Sequence, residues 1–536
     1  MRRALAALVP GALLLLAACG GAPPAADAGV PEPGGTLRHA ISTWPTCLDP
    51  ALSGGRLFTV PEQIGETLTG QAADGTIVPR LADSWEIADG GRTYTFHLRP
   101  GVTFADGTAV DAGVVAQNLT ALVALNAAGK SDTLTRNALN SFTGSEVLDP
   151  ATIRLHFGLP ELGFLRNASD PYLTIWSAGT AALPADRRCA GELVGSGPFA
   201  IQSVTRNQRV DLVKRPEHGW SRPELGEHEG PAYLDAITYE VVPESGVRVG
   251  GLLSGQFDVI DDVPVADQES VRAAGGSVVL GTVPNLVPGI YHNPYSPLGG
   301  DLAVRKAILL AIDRTEIRDT VYGPGYEVPT GEVARNTPLF TDLSAQLRHD
   351  PAAAAAILDQ AGWPPGPDGV RVKDGVRLEP RLTYVAGSTR GATQQDLELV
   401  QQQLRPVGIA VQLVPQTAAE ASADLADVSK ARFDFASGAG AGKDVDFLIG
   451  LFRSTNPRLG GFANPGLEAA ADALDTATDD ASRAAAAAAL QRYIVDDAQW
   501  IPVREATRAY AAAARVHGYR VDPYAQSVFH DTWLQQ

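Results

Sequence analysis

The first nineteen residues constrain everything that follows. Met1-Arg2-Arg3 puts two positive charges ahead of an apolar run from Ala4 to Leu16, and Leu16-Ala17-Ala18-Cys19 closes it with small residues. A basic start, about fifteen apolar residues and a small-residue cleavage site are the parts of an export signal. The run is too short to cross a ~30 Å hydrocarbon core comfortably. Gly20-Gly21-Ala22-Pro23-Pro24 cannot continue a helix. The remaining chain is therefore read as a protein that folds outside the cytoplasm.

The Leu-Ala-Ala-Cys string resembles the lipobox of a bacterial lipoprotein signal. The resemblance implies a diacylglycerol thioether on Cys19, cleavage before it and acylation of the new amine. An ordinary secretory signal with a chance cysteine is the alternative. Residues 1–18 would be the signal peptide, and the Gly/Ala/Pro-rich residues 19–35 a flexible tether with too little apolar bulk to bury.

The three cysteines are Cys19, Cys47 and Cys189. With Cys19 lipidated an even pair remains, and outside the cytoplasm two such thiols tend to join. A Cys47–Cys189 disulfide is expected, against the alternative of two separately buried thiols. The 536 residues suffice for two or three domains, and 45% hydrophobic with 19% charged residues fits a globular protein. Net charge is −18, or −20 once Arg2 and Arg3 leave with the signal. An acidic chain without basic runs excludes nucleic acid as the expected partner.

Local patterns place the elements. Gly35 to Ile41 opens the folded part with a strand-like alternation. Trp85-Glu86-Ile87, Asp89-Gly90-Gly91 and Arg92 to Leu98 read as strand, turn and strand, with Tyr94, Phe96 and Leu98 on one face. Asp111 is placed to cap a helix carrying Val114, Val115, Asn118, Leu119 and Leu122. Val194-Gly195-Ser196-Gly197-Pro198-Phe199 reads as a tight backbone crossing where no side chain fits. Val304, Ala307, Ile308 and Ala311 form one buried helical stripe, and Asp313 to Glu316 has capping-box spacing. Asp350-Pro351 starts another helix. Leu382 to Tyr384, a helix bearing Leu397, Val400, Leu404 and Val407, then Ile409, Val411 and Leu413 make a β-α-β unit and hence a parallel sheet. The alanine-rich 484–489 segment, flanked by Leu490, Tyr493 and Ile494, reads as a packed helix.

Pro79 to Glu86 and Tyr94 to Thr108 together resemble the extracellular solute-binding proteins of family 5, the peptide- and nickel-type receptors of ABC importers. The Gly195-Ser196-Gly197-Pro198-Phe199 crossing and the Val304-Arg305 to Asp313-Arg314 run resemble further stretches of that family, and the likeness extends over roughly residues 36 to 520. It implies an α/β, two-lobed periplasmic-binding-protein-like fold (class II type) with an extra subdomain, mixed sheets covered by helices and a hinge between the lobes. Boundaries are expected at residues 36–60 with 190–280 and 505–536 for the core of lobe 1, 61–189 for its extra subdomain, and 281–504 for lobe 2. The implied role is a monomeric, lipid-anchored receptor that closes on a small-molecule or peptide ligand and docks on an ABC permease with its ATPase. Another solute, such as a metal chelate or sugar, a sensing or chaperone role on the same fold, and a secreted hydrolase are the alternatives.

In the peptide-binding branch an acidic residue commonly holds the ligand's ammonium, in a segment ahead of a Phe-Leu helix. The corresponding stretch runs from Phe433-Asp434-Phe435 to Asp444-Val445-Asp446-Phe447-Leu448. It departs from the pattern: Gly/Ala replace a tryptophan, Val445 stands where related chains often carry proline, and the spacing before Phe447 is shorter. Asp444 and Asp446 are candidate ammonium partners, since a buried cation needs a paired carboxylate; a helix N-cap is the other reading. The small residues Ser437 to Gly442 would leave room for a bulky ligand, and Phe58 and Tyr291 are candidate ligand walls.

Other chemistry is not signalled. None of the nine histidines forms an i, i+4 pair and there is no Cys-x-x-Cys, so no metal and no cofactor are expected, although a cluster assembled by folding stays open. Ser437 to Asp444 fails as a phosphate loop because Asp444 stands where Ser or Thr must hold magnesium. No Gly-x-Ser-x-Gly elbow is present, and the chain is read as no enzyme.

Overall fold

The computed structural model describes residues 30–53, 59–131, 133–387, 392–440, 442, 444–456 and 464–536. Cys19 and Phe58 lie outside the described residues.

Among the described residues three larger sheets, beside four two-stranded ones, organise the chain. The first lobe holds seven strands in the order Ser277–Thr282, Thr507–Ala512, Val259–Ile260, Thr36–Ile41, Ala236–Val241, Arg209–Lys214 and Phe199–Thr205. Thr36–Ile41 sits inside this sheet and pairs parallel with both neighbours. Leu37 and Ala40 are fully buried, as expected where helices or loops cover both faces. The extra subdomain has a four-stranded antiparallel sheet, Ala82–Ala88, Thr93–Leu98, Thr152–Phe157 and Phe142–Asp149. Asp89, Gly90 and Gly91 all take positive φ at its first hairpin, which the glycines do at little cost. Tyr94, Phe96 and Leu98 point together into the core. Helix Ala112–Ala127 covers that sheet, with the Asp111 carboxylate accepting from the Val114 N–H at 2.8 Å. Its buried Asn118 is satisfied by the Trp176 backbone, donating to the carbonyl at 2.7 Å and accepting from the N–H at 3.0 Å.

The subdomain is fixed to the first lobe at two places. Cys47 and Cys189 form a disulfide, and one or two residues further in Asp49 and Arg188 make a buried ion pair, Nη2 to Oδ2 2.5 Å. Gly195 and Gly197 lie against the backbone of Ile64 and Gly65. A Cβ on Gly195 would stand 2.0 Å from the Ile64 carbonyl oxygen, and one on Gly197 would stand 2.7 Å from the Ile64 carbonyl carbon. The Gly197 N–H donates to that same Ile64 oxygen at 3.0 Å.

The second lobe has a five-stranded sheet in the order Gln412–Gln416, Arg381–Val385, Phe435–Gly438, Gly289–His292 and Trp500–Pro502. Arg381–Val385 and Gln412–Gln416 pair parallel through helix Gln394–Leu404, whose Leu397, Val400 and Leu404 are buried. The capping box expected at Asp313 forms only in half. Asp313 accepts from the Thr315 and Glu316 N–H groups, but its own N–H donates to Gln403 Oε1 at 3.0 Å. Gln403 also donates to the Glu316 carboxylate, so Glu316 is turned away from the cap. The helix lasts only from Arg314 to Ile317 before widening into a π turn. The alanine-rich segment lies in helix Asp480–Asp496, with Ala486, Ala487, Leu490 and Ile494 buried.

The chain passes between the lobes twice, side by side. Ser277–Thr282 leads into Gly289–His292, and Trp500–Pro502 leads back into Thr507–Ala512. Thr282 faces Thr507 and Gly289 faces Pro502 in antiparallel register. Between those pairs the Val283 N–H donates to the Ala506 oxygen at 2.7 Å and the Val503 N–H to the Pro288 oxygen at 3.0 Å. Val283, Val287, Ala334, Ala506 and Ala525 pack into a small apolar cluster around the double crossing. A narrow two-strand connection of this kind is where hinge rotation concentrates.

Candidate functional site

Away from the crossing the lobes meet through charge. Strand Phe435–Gly438 lies between Arg381–Val385 and Gly289–His292. From its end the chain runs to helix Phe447–Phe452, carrying Asp444 and Asp446 ahead of the first turn. Asp446 occupies the N-cap position, yet its side chain takes no helix N–H. Both carboxylates turn instead to Arg483, in the first turn of helix Asp480–Asp496. Arg483 Nη2 lies 2.6 Å from Asp446 Oδ2 and 3.1 Å from Asp444 Oδ2.

The other lobe's subdomain comes to the same point. Arg166, from the short helix Phe164–Asn167, places Nε 3.9 Å from Asp444 Oδ2. Gly163 brings bare backbone so close that a Cβ there would stand 3.1 Å from Arg483 Nη2 and 3.4 Å from Asp446 Oδ2. Two acids and two arginines thus join residues 163–166 to residues 444–446 and 483. Desolvation at the crowded contact, and then the neighbouring Asp444, push the Asp446 carboxyl upward while Arg483 pulls it back, although its side chain stays 46% exposed and water screens the shift. Arg483 is itself held more firmly protonated by the two acids. The second oxygen of Asp444, Oδ1, is buried and has no hydrogen-bond partner. An unsatisfied buried carboxylate oxygen is costly and suits a donor brought by a ligand.

Tyr291 lies beneath this surface. Its ring is 8% exposed, stacked on Trp500 at 6.0 Å and edge-on to Phe433 at 5.9 Å. It forms a floor under Gly438, whose missing Cβ would stand 3.1 Å from the Tyr291 ring. The glycines of the 437–442 segment are accounted for from below. A Cβ on Gly440 would meet Leu286 at 2.6 Å, and one on Gly442 would overlap the Phe447 ring. Close packing, rather than room for a ligand, is the physical reason these positions are small.

Further contacts join the lobes nearer the crossing. Gln268 donates to the Tyr326 hydroxyl at 2.8 Å, and Asn336 donates to the Thr282 and Pro523 carbonyls at 2.8 and 3.1 Å. A separate cavity of about 630 Å³ is lined by the first lobe and its subdomain, including Asp74, Arg80, Glu227, Arg520, Tyr524 and His530. Arg166 also donates to the carbonyl of Gly75, the residue after the cavity-lining Asp74, at 3.3 Å.

Sequence reasoning singled out Asp444 and Asp446 but missed Arg166 and Arg483. Neither arginine carries a local signal, because each sits on a helix where an exposed arginine is ordinary.

Comparison with known proteins agrees with this architecture. Protein XP55 of Streptomyces lividans is 26% identical over 502 residues, covering 89% of this chain and 85% of XP55. The glutathione-binding protein GsiB of Pectobacterium atrosepticum is 24% identical over 515 residues, covering 93% of this chain and 94% of that protein. Among solved structures, NikA from Brucella suis in complex with Fe(III)-EDTA matches with TM-score 0.80 at 23% identity, over 94% of this chain and 100% of NikA. DppA from Helicobacter pylori in complex with the peptide STSA matches with TM-score 0.73 at 22% identity, over 94% and 99% of the two chains. These likenesses show a two-lobed binding-protein fold. The family model described as bacterial extracellular solute-binding proteins, family 5 Middle, matches residues 76–457, well over half of the sequence, and the chain belongs to that family.

Proposed function

We propose that this protein is the receptor of an ABC importer, capturing a peptide or peptide-like solute between its lobes and handing it to a membrane permease powered by an ATPase. The lobes close by rotation about the paired crossings at 282–289 and 502–507. Cys19, with its lipid, holds the receptor at the outer face of the cell membrane, and the receptor works as a monomer. Binding and closure are the whole of its output; it carries out no reaction.

The observation that carries the peptide reading is Asp444: a carboxylate at the meeting of the lobes, one oxygen held by arginine and the other buried without a partner. A ligand ammonium would satisfy that oxygen. Relatives support the class, since GsiB is named for glutathione and the DppA structure contains a peptide. Mass spectrometry of solute co-purifying with the protein names the ligand. Calorimetry with a free-amine peptide and its N-acetylated form then tests the residue. Asp444→Asn is expected to weaken the free-amine peptide about tenfold to a hundredfold, as losing a charged hydrogen bond does, and to leave the acetylated form unchanged. Equal affinity of wild type and variant for the free amine would refute the assignment. A metal chelate or sugar as the sole co-purifying solute would replace the peptide reading.

A further inference from the structure

We propose that His228, His530 and Asp531 form a binding site for one divalent transition-metal ion, on the first lobe and apart from the contact between the lobes. The three ligand atoms lie within 4.8 Å of one another, and 303 residues separate His228 from Asp531, so no sequence spacing announces them. The expectation of no metal site rested on local spacing alone.

The backbone around the two rings decides their chemistry. His228 Nε2 lies 3.0 Å from the Pro231 carbonyl oxygen, and His530 Nε2 lies 3.1 Å from the Gly230 carbonyl oxygen. A carbonyl oxygen can only accept, so each Nε2 carries its proton and donates. Both Nδ1 atoms then face Asp531 Oδ1, His228 at 2.7 Å and His530 at 3.7 Å. Two ring lone pairs and a carboxylate oxygen pointed at one another repel unless a cation lies among them.

A proton on His228 Nδ1 would satisfy only one edge. His530 Nδ1 would still be buried without a hydrogen-bond partner, in a residue 2% exposed. An ion shared by all three satisfies both Nδ1 atoms together with Asp531 Oδ1. Donation of the far ring nitrogen to a backbone carbonyl is the outer-shell device that orients metal-binding histidines. The His228 ring is further fixed by stacking on Tyr233, centroids 3.9 Å apart and planes within 4°.

Two groups already lean on the carboxylate. The His228 N–H donates to Asp531 Oδ1 at 2.8 Å, and Arg520 Nη2 stands 3.8 Å from Oδ2. The N–H shares Oδ1 with the proposed ion, since a carboxylate oxygen can accept one hydrogen bond and still ligate. Two imidazoles and one carboxylate suit zinc, cobalt or nickel and leave at least one coordination position open. His530 also lines the 630 Å³ cavity, which supplies a path of access. A bound ion would tie the 228–231 loop to the C-terminal segment.

The test uses full-length, tag-free protein stripped with EDTA and dialysed. Co²⁺ is titrated by visible absorption and Zn²⁺ by calorimetry. The expected result is one equivalent bound, with d–d bands for Co²⁺ and a raised melting temperature. His228→Gln and Asp531→Asn are each expected to weaken binding at least about tenfold. His349→Gln, at a histidine paired with Asp313 on the other lobe, serves as a control and leaves binding unchanged. Circular dichroism checks folding; should one variant fail to fold, the other and the wild-type stoichiometry still decide. No stoichiometric binding to wild type, or binding undiminished in a folded His228→Gln or Asp531→Asn variant, would overturn the site.

Discussion

Glu332 gives the sharpest test of the hinge's electrostatics. It is fully buried, and neither carboxylate oxygen has a hydrogen-bond partner. Its backbone belongs to the double crossing: the Val287 N–H donates to its carbonyl oxygen at 2.8 Å, and the Ala334 N–H donates to Asn285 at the same distance. Burial pushes its carboxyl up from 4.5 to about 8. The sign follows from proton counting. Between about pH 4.5 and 8 the native protein keeps a proton that the unfolded chain has released, so stability falls as pH rises through that window. At ~1.4 kcal/mol per unit, most of the loss is still to come at pH 5 and nearly all is incurred by pH 8, a difference of roughly 3 kcal/mol. Glu332→Gln has the same shape and no charge to bury. Its own desolvation cost is the same at both pH values and cancels when the two are compared. The variant should therefore gain roughly 3 kcal/mol on wild type between pH 5 and pH 8, read as a shift of the urea midpoint at each pH. Burial also raises Asp261 and Glu505, to about 8 and about 7, so wild type alone will show a steeper fall. Only the difference between variant and wild type isolates Glu332. An equal offset at the two pH values would refute the argument.

Two further stability predictions follow from packing and pairing. Gly195→Ala must displace the Ile64 carbonyl and is expected to cost about 3 kcal/mol or more, whereas Gly250→Ala, mid-helix in Ser245–Leu253 with nothing near its missing Cβ, should stabilise by about 0.5–1 kcal/mol; urea denaturation of the two variants should shift in opposite directions. Arg188→Ala leaves Asp49 buried and unpaired and should cost about 3–5 kcal/mol, while reducing Cys47–Cys189, 142 residues apart in sequence, should remove about 5 kcal/mol on the chain-entropy model. Because these two ties anchor the same ends of the subdomain, the combined loss in an Arg188→Ala, Cys47→Ser double variant should fall short of the sum.

Much of the fold is visible in the sequence because local geometry dictates it. Asp350 caps a helix that Pro351 can open, because the first helical residue needs no N–H, and the Asp350 carboxylate accepts from the Ala353 N–H at 2.9 Å. The Gly195-Ser196-Gly197 crossing is legible since glycine there has one physical meaning, a backbone with no space beside it. The period of Leu397, Val400 and Leu404 reports a buried helix face, and the runs on either side report strands. Partners are another matter. Nothing in Thr507–Ala512 says that it inserts between Ser277–Thr282 and Val259–Ile260, more than two hundred residues earlier. Alternation fixes which face a side chain takes but not which strand lies beside it.

The charged contact between the lobes shows the same limit in one cluster. An Asp-x-Asp ahead of a helix fits both a cap and a cation site, because both need a carboxylate near the first turn. What separates them is Arg483, which belongs to a different helix and draws both side chains off the cap. Its neighbours Ala484 to Ala489 are too short to reach across, so the long arginine is the group that spans the gap. With Arg483 in place the two acids carry only one uncompensated charge between them, and Arg166 approaches from the opposite lobe to within 3.9 Å. On the proposed assignment, a ligand cation entering at Asp444 Oδ1 would meet a nearly neutral group, and its attraction would be local to that one oxygen. The selectivity of such a site must come from where a donor can be placed when the lobes close, which is geometry that the spacing of two aspartates does not encode.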